Sequence, residues 1–512
     1  MNLDMNLDTI MSPQFSLLLP LLIPLTAALL VLVSHKRANV REGFTLISGV
    51  ALILSVASLL PLLSDDKVHT LSVVLAEPLP GIALALNLEP LGFLFAGLAA
   101  FLWLVTSCYS IGYMRGLSEH NQTRFYCFIA LAIASTMGIA LSANLFTLFV
   151  FYELLTLVTF PLVSHKGTAA AKRAGRIYLG LLMGASIVLL MPAIIWTWSI
   201  AGTLDFKIGG ILAGKAASVT LCVLFGLYVF GVAKAALIPL HQWLPAAMVA
   251  PTPVSALLHA VAVVKAGVFT ILKISIYIFS PDLLNELGIT QWLIYITAVS
   301  VLWAALAAYR QDNLKLRLAY STVSQLGCIV LGALLANRWG IMGAGLHLVT
   351  HAFGKITLFF CAGAILLASG KKEISQMQGI GRQMPFTMLA FFLASLSIIG
   401  LPPFGGLWSK WLILQGGLAS DQLFVVIVLM LASLLSVAYL LPISIRAFIT
   451  PTAVSHTSEK KELHQIIPET AIKEAPVTCL IAIAISVAAC LWLFFYSTTI
   501  YNLLGSLVGK LL

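Results

Sequence analysis

Runs of 18 or more largely apolar residues recur from Gln14 to Leu504, separated by short polar stretches. As a helix, a run of that length crosses the roughly 30 Å hydrocarbon core of a bilayer. The pattern predicts about fourteen spans, with cores near 14–34, 43–63, 88–114, 124–143, 145–164, 177–200, 217–239, 252–278, 287–308, 314–336, 339–369, 385–401, 422–448 and 477–504. Between the second and third, Asp65–Leu88 alternates polar and apolar residues and holds Pro78, Pro80 and Gly81, which reads as a short hairpin on the external face. Two stretches interrupt the helical pattern. Around Ile238–Pro253 stand Pro239, Pro245, Pro251 and Pro253, and around Leu401–Gly406 runs Pro402-Pro403-Phe404-Gly405-Gly406. Proline removes an amide donor and clashes with the preceding turn, so helices 7 and 12 are expected to be discontinuous. Their freed backbone groups then need protein or water as partners. Ordinary proline kinks are the bland alternative, but two breaks at corresponding places in two halves point to an inverted repeat with an ion pathway between. The expected fold is an all-α polytopic membrane protein, a single transmembrane domain over 1–512. Two inverted five-helix repeats, 124–278 and 287–448, are flanked by helices in 13–114 and 477–504.

Composition agrees, since 60% of the 512 residues are hydrophobic and 9% charged, against roughly a quarter charged in ordinary soluble domains. The first apolar run, Phe15–Ser34, follows Asp4 and Asp8 and precedes Lys36, Arg37 and Arg41. A cleavable signal carries its positive charges on the other side, so a retained helix is expected. A net charge of +10 would suggest nucleic acid in a soluble protein, but the positive-inside rule accounts for it here. Nineteen lysines and arginines fall on the odd-numbered connections, and five on the even-numbered ones and the C-terminus. The odd loops are therefore expected in the cytoplasm and both termini outside, in a bacterial inner membrane. The longest cytoplasmic connection, Thr450–Ala475, reads as a surface helix or loop. The seven cysteines stand singly in apolar stretches with no CxxC pair, and no glycine-rich turn follows a strand. No cofactor or metal is expected, and any redox chemistry falls to another subunit.

The buried charges carry the chemistry. Of nineteen acids, eighteen lie in the N-terminal tail, in loops or near span ends, while Glu153 sits mid-span in Phe149-Val150-Phe151-Tyr152-Glu153-Leu154-Leu155. An ionised side chain there costs roughly 2.5–3.5 kcal/mol, so Glu153 is paired, protonated or facing water; a packing carboxyl that never ionises is the other reading. Five basic residues lie inside or near the ends of spans: Lys234, Lys265, Lys273, Lys355 and Lys410. Lys273 is close enough to a helix end to snorkel. Lys234 lies about one turn before Pro239, and Lys410 just beyond Pro402-Pro403. A buried lysine whose partner can change is a proton site of switchable affinity. Histidine accepts and releases protons at cellular pH, and His347, His351 and Lys355 recur at i, i+4 and i+8 along one helix face. His259 precedes Lys265 on the eighth span. A histidine pair at this spacing also suits zinc, but no third ligand is at hand; satisfied core histidines are the plain alternative. A file of such groups bridged by water makes a proton path along the membrane plane.

The stretch Gly231-Val232-Ala233-Lys234-Ala235-Ala236-Leu237-Ile238-Pro239-Leu240-His241-Gln242-Trp243-Leu244-Pro245, continuing through Pro251-Thr252-Pro253 to His259-Ala260, resembles the signature of one family. This is the antiporter-like membrane subunits shared by respiratory complex I, energy-converting hydrogenases and Mrp-type multisubunit sodium/proton antiporters. Leu318-Ala319-Tyr320-Ser321-Thr322-Val323-Ser324-Gln325-Leu326-Gly327, His347–Lys355 and Trp408-Ser409-Lys410 resemble it too. The resemblance implies that Glu153 and Lys234 form a gating pair, that Lys265 with His259 makes a central relay, and that His347, His351 and Lys355 continue it. It also implies a terminal site at Lys410 on the broken twelfth helix and a basic position at Lys315, although the usual adjacent arginine is displaced here to Arg317.

The chain ends soon after its last span with no long amphipathic lateral helix, and Tyr109-Ser110-Ile111-Gly112-Tyr113-Met114-Arg115 fits the D-type subunit of Mrp antiporters. The expected function is proton translocation, with sodium as a further candidate ion, beside other membrane subunits. A complex I-like or hydrogenase pump, a stand-alone transporter and a purely structural membrane subunit are the rivals.

Overall fold

The computed structural model describes residues 13–63, 71–449 and 472–508. The N-terminal tail, the approach to the hairpin at 64–70 and most of the Thr450–Ala475 connection lie outside these residues. The principal helices are α1 (Pro13–Val33), α2 (Ala38–Leu63), α3 (Pro90–Gly116), α4 (Gln122–Ala140), α5 (Leu145–Val163), α6 (Ala169–Ala201), α7 (Ser218–Gly231) and α8 (Thr252–Phe279). There follow α9 (Gln291–Arg310), α10 (Leu314–Leu334), α11 (Arg338–Ser369), α12 (Pro385–Ile399), α13 (Gly406–Ala419), α14 (Leu423–Ile449), α15 (Val477–Phe495) and α16 (Ser497–Val508).

Among the described residues twelve helices are long and apolar enough to cross a membrane. The expected number of about fourteen is reached only by adding α7 and α12, apolar helices too short for a full crossing. The chain leaves the helix after each of them, at Gly231 and Ile399. The helices start where their sequences supply caps. Asn144, Thr168, Asn313 and Asn337 accept from the backbone amides of Thr147, Ala171, Leu316 and Gly340, and Pro90 and Pro385 occupy first-turn positions that need no amide donor.

Ahead of α3, strands β1 (Ser72–Leu79) and β2 (Ile82–Asn87) pair antiparallel. The hairpin is pinned to the start of α5, where Thr147 Oγ1 accepts from Ala85 N at 2.9 Å and Asn144 Nδ2 donates to Ala83 O at 2.8 Å.

Burial sorts the helices. The most apolar stretch of α8 is 100% buried, and those of α10 and α11 are 83% buried, so these form the centre. In α1, α2, α6, α14 and α15 most of that stretch is open. Leu29, Ile47, Val188, Val219, Val299, Leu434 and Phe495 are exposed, an apolar surface suited to lipid. Every lysine and histidine singled out in α8, α10 and α11 therefore sits on a central element.

The first break runs from Gly231 through a 3₁₀ turn at Ala233–Ala235, and its backbone groups find partners within the protein. Tyr152 Oη accepts from Lys234 N at 3.2 Å, Ser300 Oγ accepts from Ile238 N at 3.2 Å, and Trp243 Nε1 donates to Ala233 O at 3.0 Å. Helix α8 lies directly against this turn at Gly267, where a Cβ would collide with the Lys234 carbonyl and the Ala235 amide. The second break opens at Gly400, whose φ of +90° is left-handed, and closes at Gly406 where α13 begins.

Candidate functional site

Lys234, Lys265, Lys355 and His259 are 0% exposed, and His347, His351 and Lys410 are no more than 7% exposed. None of these side chains reaches toward lipid. Their contacts link elements that are far apart in sequence.

At the first break Lys234 Nζ donates to Tyr152 O at 2.7 Å and to Thr156 Oγ1 at 2.6 Å, with the Tyr152 ring 3.1 Å away. The gating pair implied by the family resemblance is not an ion pair in this conformation. Lys234 is held by neutral acceptors on α5, the helix that also carries Glu153. Both Glu153 carboxylate oxygens are buried and meet no hydrogen-bond donor among the described residues. The pair is therefore apart, with the lysine satisfied and the carboxyl not.

In the centre, Lys265 Nζ of α8 lies 2.5 Å from His351 Nδ1 of α11. His351 and His347 have ring centroids 5.9 Å apart, and His347 Nδ1 is 2.8 Å from Ser409 Oγ while its Nε2 is 3.2 Å from Gln325 Oε1. Thr350 Oγ1 also reaches Ser409 Oγ, at 3.1 Å. Ser409 precedes Lys410, whose Nζ donates to Ile398 O and Ile399 O, both at 2.9 Å, and to Ser433 Oγ at 3.0 Å. Lys410 thus caps the unsatisfied carbonyls at the C-terminal end of α12, where a cation is favoured.

Two of the candidate residues stand apart from this succession in the structure. Lys355 does not extend the His347–His351 line: its Nζ donates to Ser321 Oγ at 2.6 Å and Leu318 O at 3.3 Å on α10, and Ser321 continues to Tyr439 Oη at 2.7 Å. Lys355 lies about 80° around the helix from His347, and it meets α10 at Leu318 and Ser321, the latter one turn from the Gln325 that His347 reaches. His259 does not bond Lys265 either. It sits on a π-helical turn, Leu257–Val261, with both ring nitrogens buried and unpartnered among the described residues and its ring 4.7 Å from that of Phe359. Lys315 donates to Ala250 O at 2.7 Å. It lines a cavity of about 160 Å³ together with Tyr113, Lys166, Asn313, Lys371 and Lys372.

Sequence reasoning also misplaced Lys273. It does not snorkel but is 0% exposed, with Nζ 2.8 Å from Glu89 Oε1 and donating to Ser142 O at 2.6 Å. Glu89, at the edge of a span and next to Pro90, gave no signal of its own.

Protonatable groups that touch in succession, Lys265 to His351 and His347 to Ser409, allow a proton to move by short hydrogen-bonded steps. Buried polar atoms without protein partners flank that succession: the Glu153 oxygens, the His259 nitrogens, His351 Nε2 and Gln325 Nε2. Groups of this kind are ordinarily met by ordered water, which would bridge the remaining gaps.

Comparison with known proteins shows the family. Residues 142–436, which carry Glu153, both helix breaks and every relay residue, match the family described as NADH:quinone oxidoreductase/Mrp antiporter, transmembrane. The NADH-quinone oxidoreductase subunit N of Desulforudis audaxviator is 32% identical over 83% of this chain and 84% of its own length. NAD(P)H-quinone oxidoreductase chain 5 of Synechocystis is 32% identical over 60% of this chain, and the match spans about half, 46%, of that longer protein. Among solved structures, a chain of the Mrp complex from a Dietzia species superposes with a TM-score of 0.84 at 22% identity, covering 98% of both chains. A chain of an archaeal membrane-bound sulfane sulfur reductase gives 0.81 at 22% identity, covering 97% of this chain and 98% of its own. These two likenesses show the fold. With a family match over more than half its length and a relative 32% identical over 83% of the chain, this multi-pass membrane chain belongs to the NADH:quinone oxidoreductase/Mrp antiporter transmembrane family.

Proposed function

We propose that the chain is the proton-translocating, antiporter-like subunit of a multisubunit membrane complex, specifically a D-type subunit of an Mrp-like monovalent cation/proton antiporter in a bacterial inner membrane. The observation that carries the reading is the Lys265–His351 contact between two central helices, continued by His347 and Ser409 to Lys410. Helix interiors in a membrane exclude such groups unless they serve a pathway.

In this reading Glu153 and Lys234 form the switch. A lysine's hold on its proton strengthens as a carboxylate approaches and weakens as it recedes. Lys234 rests on Tyr152 and Thr156, and it sits in the 3₁₀ turn of the broken helix, so a small shift of that turn changes its distance from Glu153. A proton released from Lys234 passes toward Lys265 and on through the histidines to Lys410.

A second reading is a proton-pumping membrane subunit of an NADH:quinone oxidoreductase-like complex. It is favoured by the 32% identity with subunit N over 83% of this chain. The two are separated in everted membrane vesicles carrying the complex. Sodium or potassium added to vesicles with a preformed pH gradient collapses that gradient if the complex is an antiporter. Acidification that needs an electron donor and is indifferent to added cation supports the second reading. Both readings require that Glu153→Gln and Lys234→Ala each abolish coupled proton movement in assembled complexes; wild-type coupling in both variants would rule them out.

A further inference from the structure

Lys273, buried, and Glu89, partly buried, are unused by the pathway above. The pair sits at the hairpin end of α8, where β2 runs into α3. Lys273 is 0% exposed, with Nζ 2.8 Å from Glu89 Oε1, 2.6 Å from Ser142 O and 4.2 Å from the Phe206 ring centroid. The Glu89 side chain is 11% exposed, so one member of the pair touches the surface and the other does not. Glu89 stands at the N-cap of α3 yet makes no capping hydrogen bond; its carboxylate is turned to Lys273 instead. The Tyr277 hydroxyl lies beside the same carboxylate, buried and without a well-formed hydrogen bond among the described residues.

A structural pin has no need of this chemistry. Desolvating two charges is expensive, and packed apolar residues of similar volume often serve as well or better. Lys273 also lies on the helix of Lys265, eight residues or about 12 Å further along its axis. Midway between them along the helix Phe269 packs on Phe95, ring centroids 4.8 Å apart, an apolar pair set between the two lysines.

We infer that Glu89 and Lys273 form a second lysine–carboxylate proton site, the hairpin-side terminus of the path through Lys265, with the Phe95–Phe269 contact as the gate between. The inference rests on the translocation reading above. The step balances as follows. A proton passes from the Lys273 ammonium to the Glu89 carboxylate, leaving a neutral amine and a neutral carboxyl. The carboxyl gives that proton to water at the hairpin face and becomes a carboxylate again, and the amine takes a proton from the Lys265 side when Phe269 moves.

The test is proton flux per assembled complex in vesicles. Glu89→Gln combined with Lys273→Met removes both charges at nearly constant volume, and flux is expected to fall at least about tenfold with assembly unchanged, while Glu89→Asp, which keeps the carboxylate, retains a measurable part of it. Wild-type flux in the double variant, alongside lost flux in Lys265→Met, overturns the inference and leaves the translocation reading standing. Wild-type flux in Lys265→Met is the separate failure of that reading. If the double variant does not assemble, carbodiimide labelling of the wild-type complex decides, because the reagent captures protonated carboxyls: modification of Glu89 supports the site, and an unmodified Glu89 where Glu153 is modified overturns it.

Discussion

Lys265 and His351 are the residues on which the account turns, because they are the two titratable groups in direct contact across the central helices. His351→Gln keeps a polar side chain of similar reach but cannot carry a proton. Its flux is expected to drop by about a hundredfold or more, in the range of acid–base contributions, with normal assembly on a native gel; undiminished flux would remove His351 from the path. Lys410 separates two roles. Lys410→Arg keeps a cation on the Ile398 and Ile399 carbonyls, but arginine does not release its proton. The variant should therefore assemble and melt like wild type while losing transport. Glu153, Lys234, Lys265 and Lys410 were legible in the sequence because a charge in mid-span has few innocent explanations. Lys273 and Glu89 were not, since depth along one helix says nothing of what the hairpin and α3 bring against it.

At the scale of elements, the breaks put polar chemistry where a continuous helix would allow none. Proline spacing pointed to both, and the resulting short helices α7 and α12 account for the count of twelve full-length helices among the described residues. The π-helical turn at Leu257–Val261 was invisible to periodicity, which assumes 3.6 residues throughout. That turn separates His259 from the Lys265 face, and the drift over eight residues separates Lys355 from His347. Gly267 tests the contact between α8 and the first break. Gly267→Ala forces a methyl against the Lys234–Ala235 backbone, and overpacking of this sort costs about 1–3 kcal/mol. A lowered melting temperature of the purified complex is expected, together with weakened coupling as Lys234 leaves Tyr152 and Thr156. A melting temperature and coupling equal to wild type would show that the approach is not tight.

For the molecule as a whole, the apolar outer surface and the buried polar centre make a membrane body, and the proposed path runs through that centre. We propose its orientation from the charge bias of the loops: Lys166, Lys172, Arg173 and Arg176 would share the cytoplasmic side with Lys371 and Lys372, opposite the hairpin. A single cysteine placed at Lys372 should react with an impermeant thiol reagent only from the cytoplasm, and one placed at Glu77 only from outside; labelling of both from one side would overturn that orientation. The most direct test of the central claim is proton flux through assembled complexes carrying Lys265→Met, followed by a pH-sensitive dye in vesicles. Loss of flux by at least about a hundredfold at wild-type assembly is what a path through the buried centre predicts. Flux equal to wild type would mean that protons cross elsewhere.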